Sequence, residues 1–297
     1  MGSAGALYTL LAPYFVSFSL FTKQRTWSRK VLDHFRAEGA PAPRTRPPQV
    51  VHFTDTFHDV NGVARTIQQQ LLTAQSLNLD YTIVTCHPDN SPCQRGVHQF
   101  SPIGSCSLPE YPELKLLVPP LLQMLNLCYE EGFTHIHVAT PGPVGLAGLA
   151  IAQILQVPVS GTYHTAFPQY VKAFTDDAYV EDMAWRCMIW FYNQLGTVYV
   201  PSRSTGRELV EKGINPEKVS VYPRGVEIGL YDPRFKSDIL ETRYDVPAEA
   251  VTFLYVGRVS REKNLHVLGD AFRALLSGRA NVHLLVTGDG PYREEME

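Results

Sequence analysis

Residues 50–77 read VVHFTDTFHDVNGVARTIQQQLLTAQSL, and this stretch decides the fold. Its first part, Val50–Thr54, is a short apolar run that ends at Asp55, as is typical of a buried strand. The second part, Gly62–Leu77, has the pattern of a helix that begins at a glycine. A strand that leads through a glycine-containing loop into a helix is the opening unit of an α/β domain.

The alternation of strands and helices continues after this stretch. Further strands are expected over Tyr81–Thr85, His135–Ala139, Val157–Tyr163, Thr197–Val200 and Val219–Tyr222, and helices over Leu116–Glu131, Val144–Leu155, Tyr179–Leu195 and Ser202–Lys212. Repeated alternation with apolar strands predicts a parallel sheet that helices cover on both faces. We therefore expect a Rossmann-like, doubly wound α/β domain over residues 49–231.

A second alternation starts after the irregular segment Pro223–Pro247. A strand is expected over Val251–Val256, a helix over Asn264–Leu276 and a strand over Val282–Thr287, before a turn leads into Tyr292–Glu297. Two strands and one and a half helices leave one sheet face and one edge open. We therefore expect residues 232–297 to be the start of a second Rossmann-like domain, which this chain carries only in part.

Residues 1–48 differ from the rest of the chain. An apolar run, Leu7–Phe21, precedes a proline-rich linker that ends at Pro48, and between them lies a basic patch of Lys23, Arg25, Arg29, Lys30 and Arg36. The apolar run contains Pro13, follows no basic residue and falls short of the ~20 residues that span a bilayer, and it does not fit a secretory signal. We interpret it as a buried helix, with a membrane-surface anchor as the alternative.

The composition excludes several classes of protein. The 297 residues carry a net charge of −3, so there is no global basic field for nucleic acid. Hydrophobic residues make up 44% and charged residues 19% of the chain, which argues against disorder. The five cysteines form no CxxC pair and no zinc-finger spacing with histidine, and their scatter fits a reducing cytoplasm.

Two loops of the first domain follow strands and begin helices, where open α/β sheets bind ligands. In the first, Phe53–Phe57 runs into Asn61–Val63, and its glycine and the helix N–H groups favour an anion, although an ordinary strand–helix turn explains it equally well. The second, Thr140–Pro143, leads into a helix rich in Gly and Ala. We interpret it as mostly structural, with close packing of that helix on the sheet.

Histidines follow or lie on two of the predicted strands. His164 comes directly after a strand, where its ring can donate to a ligand hydroxyl or stabilise developing charge, although a lone histidine is more often structural. His135 and His137 alternate along one strand and therefore face the same layer of the sheet. We interpret that pair as packing residues rather than metal ligands.

The segment Val256–Lys263 combines a glycine with basic residues between a strand and a helix. Arg258 offers a planar fork for phosphate oxygens, and Lys263 adds a compact charge near the helix N-terminus. Together they would stabilise a diphosphate leaving group, whereas the alternative is a solvated basic turn. We assign Arg261 to that solvated role.

Eight segments together resemble glycosyltransferase family 4, which has the two-domain GT-B architecture. They are FTDTFHDVNGVART (Phe53–Thr66), YPELKLLVP (Tyr111–Pro119), HVATPGPVGLAGLAIA (His137–Ala152), GTYHT (Gly161–Thr165), PSRSTGRELVEKG (Pro201–Gly213), PRGVEIGLYDP (Pro223–Pro233), YVGRVSREKNL (Tyr255–Leu265) and VTGDGP (Val286–Pro291). The resemblance covers about residues 49–297. Within the family, the chain is most similar to bacterial mannosyltransferases and sulfoquinovosyl-diacylglycerol synthases.

The resemblance implies a role for each candidate residue. On the donor side it implies Gly62, Arg258, Lys263 and Gly288 at the nucleotide-sugar diphosphate. It implies that His164 is catalytic, beside the transferred sugar. It implies Asp55, Asn61 and Tyr163 on the acceptor side, with domain closure excluding water.

The resemblance also implies a reaction and a location. We expect a retaining transfer of a hexose, mannose among the candidates, from a GDP- or UDP-linked donor to a lipid or glycan acceptor, with no cofactor and no metal. We expect a bacterial, cytoplasmic protein, in peripheral contact with the inner membrane, that binds no nucleic acid. Because the family's glutamate pair of the second domain would lie beyond Glu297, we expect this chain to be inactive or weak alone.

Two alternatives remain open on the sequence. One is a non-catalytic module that binds a glycan or lipid through the first domain. The other is a different GT-B enzyme, such as a nucleotide-sugar epimerase, which needs no acceptor.

Overall fold

The computed structural model describes residues 3–35, 47–89, 94–108, 111–175, 177–223, 225, 228–278 and 281–296. The chain divides into two compact units, residues 1–224 and 225–297. Each unit is built from alternating strands and helices.

The first unit contains nine strands and seven α-helices within the described ranges. The helices are α1 (Ser3–His34), α2 (Gly62–Ser76), α3 (Leu121–Glu131), α4 (Pro143–Leu155), α5 (Phe167–Thr175), α6 (Ala178–Gln194) and α7 (Arg203–Lys212). The strands are β1 (Val50–Phe53), β2 (Tyr81–Cys86), β3 (Val97–Phe100), β4 (Gly104–Leu108), β5 (Tyr111–Val118), β6 (His135–Val138), β7 (Val159–Thr162), β8 (Thr197–Val200) and β9 (Val219–Val221). A short 3₁₀ helix, Pro216–Lys218, precedes β9.

Seven strands form one parallel sheet in the order β3-β2-β1-β6-β7-β8-β9. The chain winds outward from β1 to β3, returns to β6 beside β1, and then winds the other way to β9. The prediction of a doubly wound α/β domain is therefore confirmed. The winding reverses between β1 and β6, and ligands of open α/β sheets bind at the carboxyl ends of strands at such a switch point.

The two faces of the sheet bury different side chains, because successive strand residues point to opposite faces. Helices α3, α4, α6 and α7 contribute to the larger core, in which Phe53, Val84 and Val138 are fully buried. On the other face, α2 packs Ile67 and Leu71 against Ile83. Helices therefore cover the sheet from both sides.

Glycines let α4 approach the sheet closely. A Cβ atom on Gly148 would lie 2.8 Å from the Phe53 ring, and one on Gly145 would lie 1.8 Å from the carbonyl oxygen of Thr140. Real Cβ atoms do not come so near, so larger residues would push the helix away. The predicted close packing of this small-residue helix is confirmed.

The region between β2 and β6 differs from the sequence prediction. A helix was expected over Leu116–Glu131, but β5 runs to Val118 and α3 starts only at Leu121. Pro119 and Pro120 separate the two elements, because proline lacks an N–H donor and disfavours helical backbone in the residue before it. The short strands β3 and β4 were not predicted, and neither was α5.

The N-terminal helix is longer and more exposed than predicted. It runs over Ser3–His34, so the expectation of a buried helix over Leu7–Phe21 is wrong in extent. It is also wrong in burial, because Val16 and Leu20 are each more than half exposed. Within the described ranges, none of the helices combines the length and apolarity that crossing a bilayer requires.

The second unit contains a parallel pair of strands, β10 (Val251–Val256) and β11 (Val282–Thr287). Helix α9 (Leu265–Leu276) connects them, as predicted, and α8 (Ile239–Tyr244) precedes them. Two short 3₁₀ helices (Pro233–Phe235 and Arg261–Lys263) and α10 (Arg293–Met296) complete the described part of this unit.

Candidate functional site

Asp55 follows β1 and holds the start of α4. Its carboxylate accepts hydrogen bonds from the backbone N–H groups of Val144 at 2.8 Å and Gly145 at 3.4 Å, and from the Thr140 hydroxyl at 3.1 Å. Burial raises the pKa of Asp55 above its usual value, although these hydrogen bonds act in the opposite direction. The carboxylate therefore serves as a remote cap for α4, and its acceptor-side role stays a prediction.

The neighbouring glycine keeps room for this carboxylate. A Cβ atom on Gly142 would lie 2.4 Å from the Asp55 Oδ2 atom. The loop that the sequence marked as mostly structural, Thr140–Pro143, thus joins the ends of β1 and β6 at the switch point. This contact holds together the two loops, after β1 and after β6, that form the candidate site.

Asn61 caps α2 from the adjacent position. Its Oδ1 atom accepts from the N–H groups of Val63 at 2.9 Å and Ala64 at 2.8 Å, and its Nδ2 group donates to Asp59. Gly62 is the first helical residue, and, apart from its chain neighbours and the backbone of α2 itself, no heavy atom of the described residues lies within 4 Å of where its Cβ would be. The start of α2 is therefore open above Gly62.

Tyr163 and His164 follow β7 and lie in different surroundings. The Tyr163 ring is buried against Tyr192, with ring centroids 5.7 Å apart, and burial raises the pKa of its hydroxyl to about 12, with Glu208 adding to the shift. His164 is half-buried and close enough to His137 to affect its protonation. Both residues therefore lie at the carboxyl edge of the sheet, as predicted, but only His164 is partly accessible.

A row of histidines crosses the sheet behind His164. The rings of His52 on β1 and His137 on β6 lie edge to face with centroids 4.5 Å apart. The two ring nitrogens of His137 pair with the hydroxyls of Ser160 at 2.8 Å and Thr162 at 3.0 Å. His137 is thus a hydrogen-bonded part of the sheet face.

Burial keeps this row of histidines neutral. It lowers the pKa of His137 to about 3, with His164 and His135 adding to the shift, and it lowers the pKa of His52 well below the usual value. His52 pairs through Nδ1 with the Tyr81 hydroxyl. In the part of the chain that the structure describes, no three His, Cys, Asp or Glu side chains are grouped to hold a metal ion.

Sequence reasoning missed a second polar group at the carboxyl ends of β1 and β2. His58 and His87 have ring centroids 4.7 Å apart, and Asp59 lies close to both. Burial raises the pKa of Asp59, whereas His87 and His58 lower it. In the sequence each histidine comes after a predicted strand, but their proximity depends on the pairing of β1 with β2.

In the second unit, the loops after β10 and β11 are joined backbone to backbone. A Cβ atom on Gly288 would lie 1.8 Å from the carbonyl oxygen of Gly257, and the Val259 N–H donates to the Asp289 carbonyl at 3.0 Å. The Tyr255 hydroxyl donates to the carbonyl of Arg258 at 2.9 Å. Gly288 is therefore required by the close approach of the two loops, and its role at a donor stays a prediction.

The basic side chains of this unit are placed differently from one another. Arg258 and Lys263 are exposed, on the loop and at the end of the 3₁₀ helix that precedes α9. Arg261 donates to both carboxylate oxygens of Glu295, at 2.8 and 3.0 Å, and lies over the Tyr292 ring. Arg261 is solvent-exposed, as predicted, and its ion pair with Glu295 additionally ties its loop to α10.

Comparison with known proteins decides the family. The profile described as Glycosyltransferase Family 4 matches residues 60–230, which is more than half of the chain. The chain belongs to glycosyltransferase family 4.

Three curated proteins are similar to this family 4 chain. It is 30% identical to the sulfoquinovosyl transferase SQD2 of Arabidopsis thaliana over 86% of its own length and 50% of that protein. It is 26% identical to an alpha-monoglucosyldiacylglycerol synthase of Streptococcus pneumoniae, covering 82% and 56% of the two chains. It is 25% identical to a GDP-mannose-dependent alpha-mannosyltransferase of Corynebacterium glutamicum, covering 84% and 60%. The chain thus spans about half the length of the curated relatives it matches.

The fold agrees with that of solved GT-B structures. HepE from Anabaena, in complex with UDP and glucose, superposes with a TM-score of 0.59 at 17% identity, over 84% of this chain and 63% of that one. The family 4 chain therefore has the GT-B architecture that its eight sequence segments predicted, over the part that is compared.

Proposed function

We propose that this chain is part of a retaining glycosyltransferase that moves a hexose from a GDP- or UDP-linked donor to a lipid or glycan acceptor. The names of two relatives support the finer choices: one uses GDP-mannose, and the other makes a glucosyldiacylglycerol. Mannose and a diacylglycerol lipid are therefore the first substrates to test. We propose a cytoplasmic location with peripheral membrane contact, where such an acceptor is accessible.

The observation that carries the proposal is the open start of α2 at the switch point of the sheet. Asn61 fixes the first turn of this helix, and Gly62 leaves the space above it free of side-chain atoms. A helix N-terminus attracts anions through its N–H groups and its dipole. We propose that Gly62 approaches the donor diphosphate there.

We propose that the second unit supplies the charges for the leaving group. Arg258 and Lys263 flank the 3₁₀ turn before α9, where a guanidinium fork and an ammonium group complement phosphate oxygens. As the glycosidic bond breaks, the diphosphate gains charge, and these residues stabilise it more in the transition state than in the ground state. Gly288 keeps the neighbouring loop close to this segment, and the proposal requires no metal.

We propose that His164 is the catalytic side chain nearest the transferred sugar. Its neighbours His52 and His137 are held neutral by burial, so they do not repel positive charge that develops near His164. Its ring can donate to a sugar hydroxyl or stabilise the charge at the reacting carbon. We propose that Asp55 and Asn61 act on the acceptor side by fixing their loop, with Tyr163 below it.

Donor binding tests this proposal more directly than turnover, because we expect the 297-residue chain alone to transfer sugar weakly or not at all. Calorimetry with GDP-mannose, UDP-glucose and UDP-sulfoquinovose should show binding of at least one donor. The double substitution Arg258→Ala and Lys263→Ala should weaken it at least tenfold, which corresponds to about 1.4 kcal/mol.

A matched control removes the same two charges elsewhere in the second unit. Arg273→Ala with Lys236→Ala changes one exposed arginine and one exposed lysine, and it should leave donor affinity unchanged. Equal loss in both double variants would refute a specific diphosphate site. Lipid or glycan binding without any donor binding would instead support a non-catalytic module, and donor turnover without an acceptor would support an epimerase.

A further inference from the structure

The inner side of α1 fixes how this helix lies on the first unit. Phe15 and Phe18 pack against the main core, and the Phe18 ring meets the Tyr129 ring of α3 edge to face at 5.4 Å. Two turns later, the Arg25 guanidinium lies 3.7 Å from the centroid of the same ring and donates to the Tyr129 carbonyl at 2.8 Å. These contacts fix the orientation of α1, so its opposite side faces away from the first unit.

That opposite side is apolar. Because successive helix residues turn by about 100°, Val16, Leu20 and Trp27 share one side, roughly opposite Phe15 and Phe18. Their side chains are 55%, 54% and 67% exposed. Contiguous apolar residues at such exposure on a soluble protein mark an interaction surface.

Basic residues flank this apolar stripe. Lys23 and Lys30 lie on its side of the helix and are exposed. Over Ser3–His34 the chain has four basic residues and one acidic residue, Asp33, a net charge of +3 (4 − 1), whereas the whole chain carries −3. The surface is therefore positive on a protein that is negative overall.

We propose that this surface, the outward face of α1 (Val16, Leu20, Lys23, Trp27 and Lys30), docks on the surface of an anionic lipid bilayer. Exposed Leu and Trp enter the headgroup boundary, and the lysine stems extend their charged ends to the lipid phosphates. Charge complementarity favours a membrane over a second copy of the chain, which would place two +3 helices together. The helix lies on the bilayer rather than across it.

This inference deepens the peripheral location in the proposed function, but it does not depend on sugar transfer, since the family match begins at residue 60. The test is co-sedimentation of the whole chain with vesicles of phosphatidylcholine, with and without phosphatidylglycerol. We expect binding only to the anionic vesicles and its loss at high salt. Lys23→Gln with Lys30→Gln should lower the partition coefficient about tenfold.

A matched pair of variants separates specific docking from general hydrophobicity. Leu20→Ser with Trp27→Ser should lower vesicle binding at least about tenfold. Leu72→Ser with Trp190→Ser removes the same residue types at 54% and 53% exposure on α2 and α6, and it should bind like the parent. Circular dichroism and donor binding in calorimetry should be unchanged in both pairs, so loss of docking is distinguishable from failure of the donor proposal.

Three outcomes would overturn the inference. The first is absence of binding to anionic vesicles, and the second is equal loss in the α1 pair and the control pair. The third is a dimer of the parent chain in light scattering that the α1 pair abolishes, which would assign the surface to a second copy.

Discussion

Helices α2 and α4 follow the neighbouring strands β1 and β6 of the switch point, but their first N–H groups are satisfied in different ways. The start of α4 is closed by a partly buried carboxylate, Asp55, which follows the other strand, β1. The start of α2 is capped by Asn61, the residue directly before it, and the space above Gly62 is open.

This difference distinguishes a structural residue, Asp55, from a candidate ligand-binding residue, Gly62, within one loop. Two N–H groups are capped at each helix start, but the cap of α4 is a carboxylate, whose negative charge would repel a phosphate. The cap of α2 is the neutral Asn61 amide beside an unobstructed glycine, so the positive end of that helix dipole has no charged partner in its cap. The loop between β1 and α2 therefore stabilises α4 through Asp55 and leaves the start of α2 accessible at Gly62.

The largest expected effect on stability comes from removing the Asp55 carboxylate that caps the start of α4. Asp55→Ala leaves the N–H groups of Val144 and Gly145 and the Thr140 hydroxyl without their acceptor, and we expect a loss of about 3 kcal/mol in the free energy of unfolding. Asn61→Ala removes a cap at a solvent-exposed helix start and should cost only about 1 kcal/mol. Urea unfolding of both variants measures the difference.

Asp55→Asn refines the same comparison. It keeps one acceptor oxygen in nearly the same volume, so its loss of stability should lie between those of Asp55→Ala and the parent. Equal destabilisation by Asp55→Ala and Asn61→Ala would contradict the distinction between a partly buried remote cap and an exposed local one.

Much of the fold was predictable because strand–helix alternation is encoded locally. The strands around Val51, Ile136 and Val198 are short apolar runs, and the order of elements fixes a doubly wound sheet. The segment from His87 to Val118 was not predictable in the same way. Two of its strands, β3 and β4, are short, and the hairpin of β4 and β5 depends on pairing between chain segments rather than on periodicity.

The position of the candidate site was predictable from the sequence, but the contacts that each side chain makes were not. Glycines and polar residues after strands mark the carboxyl edge, so Gly62 and His164 could be named. That the Asp55 carboxylate caps α4 depends on a contact across 89 residues, which no local pattern contains. The proximity of His58 to His87 likewise follows only from the pairing of β1 with β2.

The second prediction concerns the pH dependence of stability. It rests on histidines of β1 and β6, the strands that precede the two helices. His52 on β1 and His137 on β6 have pKa values far below the ordinary 6.5 in the folded chain. The unfolded chain therefore binds more protons, so stability is fully present above about pH 6.5 and falls as the pH drops toward 3. We expect a slope of about 1.4 kcal/mol per pH unit for each histidine between pH 6 and 4.

A variant isolates this contribution from those of the carboxylates. His137→Gln keeps a side chain that can pair with Ser160 or Thr162, and it should reduce the slope by about one proton in denaturant unfolding between pH 6 and 4. His98→Gln removes an exposed histidine of β3 and should leave the slope unchanged. An unchanged slope in His137→Gln would show that the unfolded chain does not gain this proton.

The smallest effect on stability, and the sharpest test of the open start, comes from Gly62→Ala. Its Cβ would enter free space at a position where alanine is a good helix former, so the free energy of unfolding should change by less than about 0.5 kcal/mol. The same methyl group would occupy the approach path of a diphosphate, and donor affinity in calorimetry should fall about tenfold. Gly104→Ala, whose Cβ would meet only a Val118 methyl group at 3.9 Å, is the control and should change neither quantity. Unaltered donor affinity in Gly62→Ala would mean that the open start of α2 is not where the diphosphate binds, because the substitution perturbs that space and nothing else.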